Sequence, residues 1–208
     1  MGPIALATGD LDTAERAVTM LNDHAARHQT SYWRIVGRCL EGDLLIRRGV
    51  LTNGAALLRD ALDSSEKTGW AVCYPAFRGV LAEGLAGLGR HGEALSAVEQ
   101  GLAAAERGGE SWSVAELLRI KGQCLLEEAK DQSEAAAEAC FAESFEVARQ
   151  QGALFWELRA AEGFALLRVR QGRPQDARQI LAPVYDRFTE GFETSDLKAA
   201  GRLLATLN

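Results

Sequence analysis

No two cysteines in this chain are spaced as a CxxC pair. Cys39, Cys73, Cys124 and Cys140 stand far apart in apolar, helix-like surroundings, which predicts buried free thiols in a reducing compartment rather than disulfides or a zinc site. No apolar run reaches the ~18 residues a membrane helix needs. The start, "MGPIALATGDLD", lacks the charged leader and long apolar core of a signal peptide. Both absences point to the cytoplasm. Positive charge is also short, with 23 Lys and Arg against 29 Asp and Glu, a net charge of −6 over 208 residues. Such a surface repels phosphate backbones, and the scattered arginines form no basic stripe, so neither nucleic acid nor membrane is an expected partner. The alternation of apolar and polar residues that marks strands is also missing.

Catalytic sets are equally scarce. The Gly-rich "GLAGLGRHGE" lacks the Lys of a GxxxxGK[ST] phosphate loop and follows a helix instead of a strand. His24 and His28 share a helix face at a zinc-compatible spacing, yet no third ligand lies nearby in sequence, and a polar face is the expected reading. His91 falls in a turn. Ser111, Ser113 and Ser133 precede helices and read as N-caps, since no His–Asp pair accompanies them. With no paired carboxylate, metal set or activated nucleophile to assemble, the expectation is a protein without enzymatic activity, cofactor or metal.

What the chain does have is 47% hydrophobic residues, enough for a continuous core, and a repeat. Ala14, Gly54, Ala94, Ala137 and Ala177 each begin a helix after a turn, with gaps of 40, 40, 43 and 40. Five residues earlier stand Gly9, Gly49, Gly89, Gln132 and Gly172, four of five being Gly as a left-handed helix C-cap requires. Four residues after each anchor come Val18, Leu58, Val98, Phe141 and Leu181, one turn on along the same face. Leu21, Ala61, Gly101, Ser144 and Val184 follow three later. In the preceding helix Gly42, Ala82, Gly122 and Ala165 keep one contact point small, predicting close helix approach there. The three extra residues of the longer unit fall near Lys130 to Ala135. Trp33, Trp70, Trp112 and Trp156 stand near the start of those same helices and read as core packing.

Helices are expected near 10–28, 32–48, 53–68, 72–90, 92–107, 112–129, 133–151, 154–171, 174–190 and 195–207. Pro174 suits a first helical turn, Pro183 should kink or shorten its helix, and Pro75 could mark the true start of the helix after Trp70. Ten helices on a 40-residue period make an all-α protein, a right-handed α-solenoid of antiparallel helix pairs. The expected organisation is a single array over 1–208: a half repeat at 1–28, repeats at about 32–68, 70–107, 112–151 and 154–190, and a terminal capping helix at about 195–207. Gly9 and Ala14 match the turn and second helix of a unit whose first helix would need residues before Met1, so the chain reads as a fragment of a longer polypeptide.

A turn Gly, a small residue five later, an apolar residue four beyond and a small one three further resemble the tetratricopeptide repeat, though its usual period is about 34 residues. The segments "WSVAELLRIKGQCLLEE", "AAEACFAESFEVARQQGALFWELRAA" and "LAPVYDRFTEGFETSDLKAA" resemble the C-terminal region of bacterial signal-transduction ATPases. The resemblance is strongest from Glu110 to Leu204. In that family the helical array follows a nucleotide-binding module, itself preceded by a winged-helix DNA-binding domain or a class III nucleotide cyclase. Neither the module nor those effector domains can be placed in this sequence.

The resemblance implies a protein-docking or sensory array whose partner is a protein or peptide, such as the upstream ATPase module. The alternatives are a sensor for a small-molecule inducer and a purely structural or self-associating scaffold. A stack of hairpins offers an inner face lined by the first helix of each pair. Helical register assigns to that face Asp43, Arg47, Glu83, Glu116, Arg119, Gln123, Glu127, Arg159, Glu162 and Arg170. This set does not reproduce the Lys/Asn clamp by which some tetratricopeptide domains hold chaperone C-termini. Arg119, Gln123 and Glu127 are spaced by four on one helix, and Arg159, Glu162 and Arg170 occupy matching registers on the next. If both arginines serve a partner, reversing them should leave stability almost unchanged. Arg47 with Arg48, and Arg168, Arg170, Arg173 and Arg178, could meet an acidic partner, but a solvated face is the plainer reading.

Overall fold

The computed structural model describes residues 2–68, 73–128 and 133–207, and among them the regular structure is entirely α-helical. The helices are α1 (Gly2–Thr8), α2 (Leu11–Arg27), α3 (Ser31–Arg47), α4 (Leu51–Thr68), α5 (Tyr74–Gly87), α6 (His91–Gly108), α7 (Val114–Glu128), α8 (Ser133–Gln150), α9 (Leu154–Arg170), α10 (Pro174–Tyr185) and α11 (Ser195–Thr206). They group into two compact units, Met1–Glu110 with α1 to α6 and Ser111–Asn208 with α7 to α11. Within each unit the helices form hairpins. Each even-numbered helix of a hairpin packs on its odd-numbered partner, and α2, α4 and α8 also pack on the odd-numbered helix that follows. Successive odd-numbered helices touch one another as well: α1, α3 and α5 in the first unit, α7, α9 and α11 in the second. None of the described helices is long and apolar enough to cross a membrane.

The hairpin turns follow from local chemistry. After α3 the chain reverses at Gly49, whose φ of +79° is a left-handed conformation that a Cβ would strain. That geometry lets the amide of Gly49 donate to the Ile46 carbonyl at 2.9 Å and the amide of Val50 to the Leu45 carbonyl at 2.9 Å, so the last carbonyls of α3 stay satisfied. Gly9, Gly89 and Gly172 repeat the conformation at the same register. Asp10 then caps α2, its side chain accepting from the Thr13 amide at 3.0 Å, and hydrogen bonding from the Thr13 side chain and then its amide holds the carboxyl below the usual carboxylate range.

Packing follows the 40-residue register. All five anchors and the five apolar residues one turn later are buried. In the C-terminal unit Leu181, fully buried, packs in a cluster with Leu158, Ala161, Val184 and Leu197. The small contact points work as spacers. Ala82 and Ala165 are fully buried, and a Cβ on Gly42 would lie 2.7 Å from Leu58 Cγ. Close approach buries more of each apolar face, and each buried CH₂ contributes about 0.8 kcal/mol.

Several expectations are corrected. A short helix over Gly2–Thr8 precedes the turn at Gly9 and pairs with α2, where helix was expected only from near residue 10. Helix α5 begins at Tyr74 with Pro75 in its first turn, two residues later than the expected 72 and in line with Pro75 as the marker of its start. Helix α10 stops at Tyr185 short of 190, shortened as Pro183 predicts, because that residue offers no amide to the Gln179 carbonyl and crowds the preceding turn. The three tryptophans among the described residues are not core. Trp33 and Trp112 are 46% exposed and Trp156 is half-buried. Trp112 precedes α7 and Trp33 sits in the first turn of α3, so neither lies in the central stretch where facing helices cover an indole. The Ser113 hydroxyl, expected to cap α7, is buried with no hydrogen-bond partner among the described residues. Trp70, Gln132 and the insertion at Lys130 lie outside the described residues.

Candidate functional site

Helices α7 and α9 are the first members of consecutive hairpins, and they touch one another. Their facing charged residues stand 43 residues apart in sequence, and the rows oppose each other in sign: Glu116 against Arg159, Arg119 against Glu162, Glu127 against Arg170. Between the rows opens a cavity of about 470 Å³, lined by residues of both together with Phe141 of α8 and Asp196 of α11. Phe141 reaches the floor because α7 and α9 present glycine to it. A Cβ on Gly122 would stand 3.1 Å from the ring, and one on Gly163 2.8 Å.

One end of the groove is closed by ion pairs. Arg119 donates twice to Glu116, Nε and one terminal nitrogen each at 2.9 Å, and its other terminal nitrogen donates to Gln123 at 2.9 Å. Arg159 meets the same Glu116 at 2.9 Å and Asp196 at 3.5 Å, while its guanidinium lies 5.8 Å from the centre of the Trp156 ring. These side chains are well covered, Arg119 at 9% exposure and Arg159 at 16%. Arg159 is therefore mortar between α7, α9 and α11, and Arg119 braces Glu116 from within α7. The sequence expectation that both could be reversed without loss of stability does not survive this geometry.

Glu162 differs from its neighbours. It lines the cavity half-buried, and burial pushes its carboxyl above the usual carboxylate range. Asp196 adds to the rise, while Arg119, Arg159 and Arg202 counter part of it. Toward the other end the groove opens: Gln123, Glu127 and Arg170 are exposed, and between them Leu166 and Val169 of α9 are 47% and 39% exposed. Gln123 donates to Glu127 at 3.4 Å.

The remaining register candidates fall in the first unit. Asp43 and Arg47 pair within α3 at 2.6 Å, Asp43 being buried, and Glu83 stands half-buried on α5, the next odd-numbered helix. They line neither the α7–α9 cavity nor the small one beside Tyr32, Cys39 and Phe77. The other arginine groups are largely engaged. Arg48 binds Glu15 with both terminal nitrogens at 2.9 and 3.0 Å, Arg168 holds Glu138 at 2.7 and 2.8 Å, and Arg173 pairs with Asp176. Among the described residues no cluster of three or more His, Cys, Asp and Glu is placed to hold a metal ion.

Sequence reasoning missed Leu126, Phe141, Leu166, Val169 and Asp196 as lining. Leu166 and Val169 sat at inner-face register positions but were passed over because polarity was the criterion. Asp196 carried no signal, since it comes from the terminal helix.

No protein-family model and no curated protein matches the chain. Solved structures do. Over 95% of this chain and 81% of its counterpart, the fold is similar to BtubC (BKLC) from P. vanneervenii, with a TM-score of 0.69 at 16% identity. Over 88% and 89% respectively, it is similar to a putative kinesin light chain of P. anserina with nearly identical tetratricopeptide-like repeats, with a TM-score of 0.61 at 15% identity. The likeness is one of fold: an all-α, tetratricopeptide-like solenoid of helix pairs.

Proposed function

We propose that this chain is a non-catalytic repeat domain that docks protein, and that the α7–α9 groove is its docking site within a larger, cytoplasmic, ATPase-coupled regulator. One observation carries the reading: exposed Leu166 and Val169 lie in a cavity of about 470 Å³ among charges of both signs. Apolar surface rimmed by polar groups is the anatomy of a protein interface. Hairpin stacks with an open inner layer serve as extended binding surfaces, and the tetratricopeptide-like fold supports that use. The ATPase context rests on the resemblance of Glu110 to Leu204.

The test begins with the complete gene and its neighbours. The reading expects a nucleotide-binding module with a GxxxxGK[ST] loop encoded with the array, and binding of that module to the array in calorimetry. Arg170→Glu should weaken the association about tenfold. Absence of such a module, or its failure to bind, overturns the reading.

A second reading has one observation in its favour. The cavity volume falls within the range of about 300–1,000 Å³ typical of small-ligand pockets, and Leu126 and Phe141 give it an apolar side. An inducer would raise the melting temperature of the isolated chain without any protein partner.

A further inference from the structure

The docking groove has a polarity of its own, written along α9. Glu162, Leu166 and Arg170 are four residues apart, so they form one stripe with about 6 Å between neighbours and Val169 beside it. The stripe reads acidic, apolar, basic. Among the described residues, the facing row on α7 makes no hydrogen bond to Glu162. Opposite Glu162, the guanidinium of Arg119 is committed to Glu116 and Gln123 through three hydrogen bonds. Arg159 is held between Glu116 and Asp196. Glu162 thus lines the cavity with attraction from these arginines but no hydrogen bond to them among the described residues. At the open end Arg170 is exposed, and Leu166 between them has nearly half its surface in solvent.

Resting on the docking reading, we propose that the groove receives a partner helix carrying an acidic, an apolar and a basic side chain at successive four-residue spacings. It runs antiparallel to α9, with its acid on Arg170, its apolar residue on Leu166 and Val169, and its base on Glu162. The match is one of spacing and charge. A helix packed along α9 presents side chains at the same interval, and a cation arriving at Glu162 supplies the partner that its covered carboxylate lacks. The antiparallel direction sets the two helix dipoles against each other favourably. It also puts the partner's acid near its own N-terminus and its base near its C-terminus, where each stabilises the free helix.

The probe is a fluorescein-labelled Ala/Gln-based helical peptide with Glu, Leu and Lys at those positions, titrated with the full chain and read by fluorescence anisotropy. The control peptide carries Lys, Leu and Lys. The Glu–Leu–Lys peptide should saturate. Glu162→Gln and Arg170→Gln should each weaken it about tenfold, with neither variant lowering the melting temperature. No saturable binding, equal binding of the Lys–Leu–Lys control, or indifference of both variants overturns the proposal. The two readings separate cleanly. An ATPase module that binds the array and ignores Glu162→Gln refutes this polarity and leaves docking intact, whereas a module that does not bind refutes docking itself.

Discussion

Gly42 and Gly54 stand backbone to backbone across the α3–α4 hairpin: a Cβ on Gly54 would lie 2.9 Å from the Gly42 carbonyl oxygen, and one on Gly42 3.2 Å from that of Gly54. Because the obstacle is main chain, it cannot swing aside as a side chain would. Gly54→Leu should therefore lower stability by about 1–3 kcal/mol through overpacking, and Gly54→Ala by less. Gly92 in the first turn of α6 meets nothing within 4 Å, so Gly92→Ala should be neutral or stabilising by up to about 1 kcal/mol. Urea denaturation of the three variants checks this. A Gly54→Leu variant as stable as wild type would mean that α3 and α4 do not approach as described.

Leu181 is fully buried in the cluster that joins α9, α10 and α11. Leu181→Ala removes apolar burial and leaves a cavity, at a cost of roughly 2–5 kcal/mol. Thermal melting followed by circular dichroism should show a clearly lowered midpoint, and a melt within a degree of wild type would contradict the packing.

Arg119 and Arg159 converge on Glu116, at 2.9 Å in each case. Reversing both to Glu would set two new carboxylates beside Glu116, with Glu162 and Asp196 close by. Breaking covered ion pairs costs about 3–5 kcal/mol, so the double variant should unfold at markedly lower denaturant concentration. Arg170→Glu, at an exposed position, should not. The comparison separates charge that holds helices together from charge that faces a partner.

Glu162 makes a pH-dependent contribution of defined sign. Burial raises its carboxyl above the usual range, so the folded chain holds this proton more tightly than the unfolded chain does. The stabilisation is fully present below the ordinary carboxylate range and is lost as pH rises through the raised folded value. At neutral pH Glu162→Gln should therefore be more stable than wild type, with the difference shrinking on acidification. Glu138 behaves oppositely: its bonds to Arg168 hold its carboxyl low, so its contribution is lost as pH falls. Stability curves for both Gln variants from acid to neutral pH test the pair, and a Glu162→Gln advantage greatest at acid pH would contradict the burial.

Much of the fold was legible because it is built from short-range rules. Gly at a left-handed turn, a small residue five later and an apolar one four beyond are satisfied within a single hairpin, and the hairpins that turn at Gly9, Gly49, Gly89 and Gly172 repeat them. The anchor series, the buried residues after it and the spacers at Gly42, Ala82, Gly122 and Ala165 could be read directly for this reason. Register also placed Arg119, Gln123 and Glu127 beside Arg159, Glu162 and Arg170, because equal spacing on neighbouring helices sets their rows side by side.

Burial and the sharing of charge were decided by tertiary structure. A helical wheel shows which face a tryptophan occupies but not whether another helix extends far enough to cover it, and at Trp33 and Trp112 none does so fully. Nor does spacing show that Arg119 and Arg159 would meet on one carboxylate, since that depends on how closely α7 and α9 approach and on Asp196 arriving from α11. The periodic sequence by itself determined a stack of all-α hairpins and their register. Distances between helices remote in the chain decided which charges became mortar and which stayed in the open groove, because the free energy of a charge depends on the partners and the water left around it.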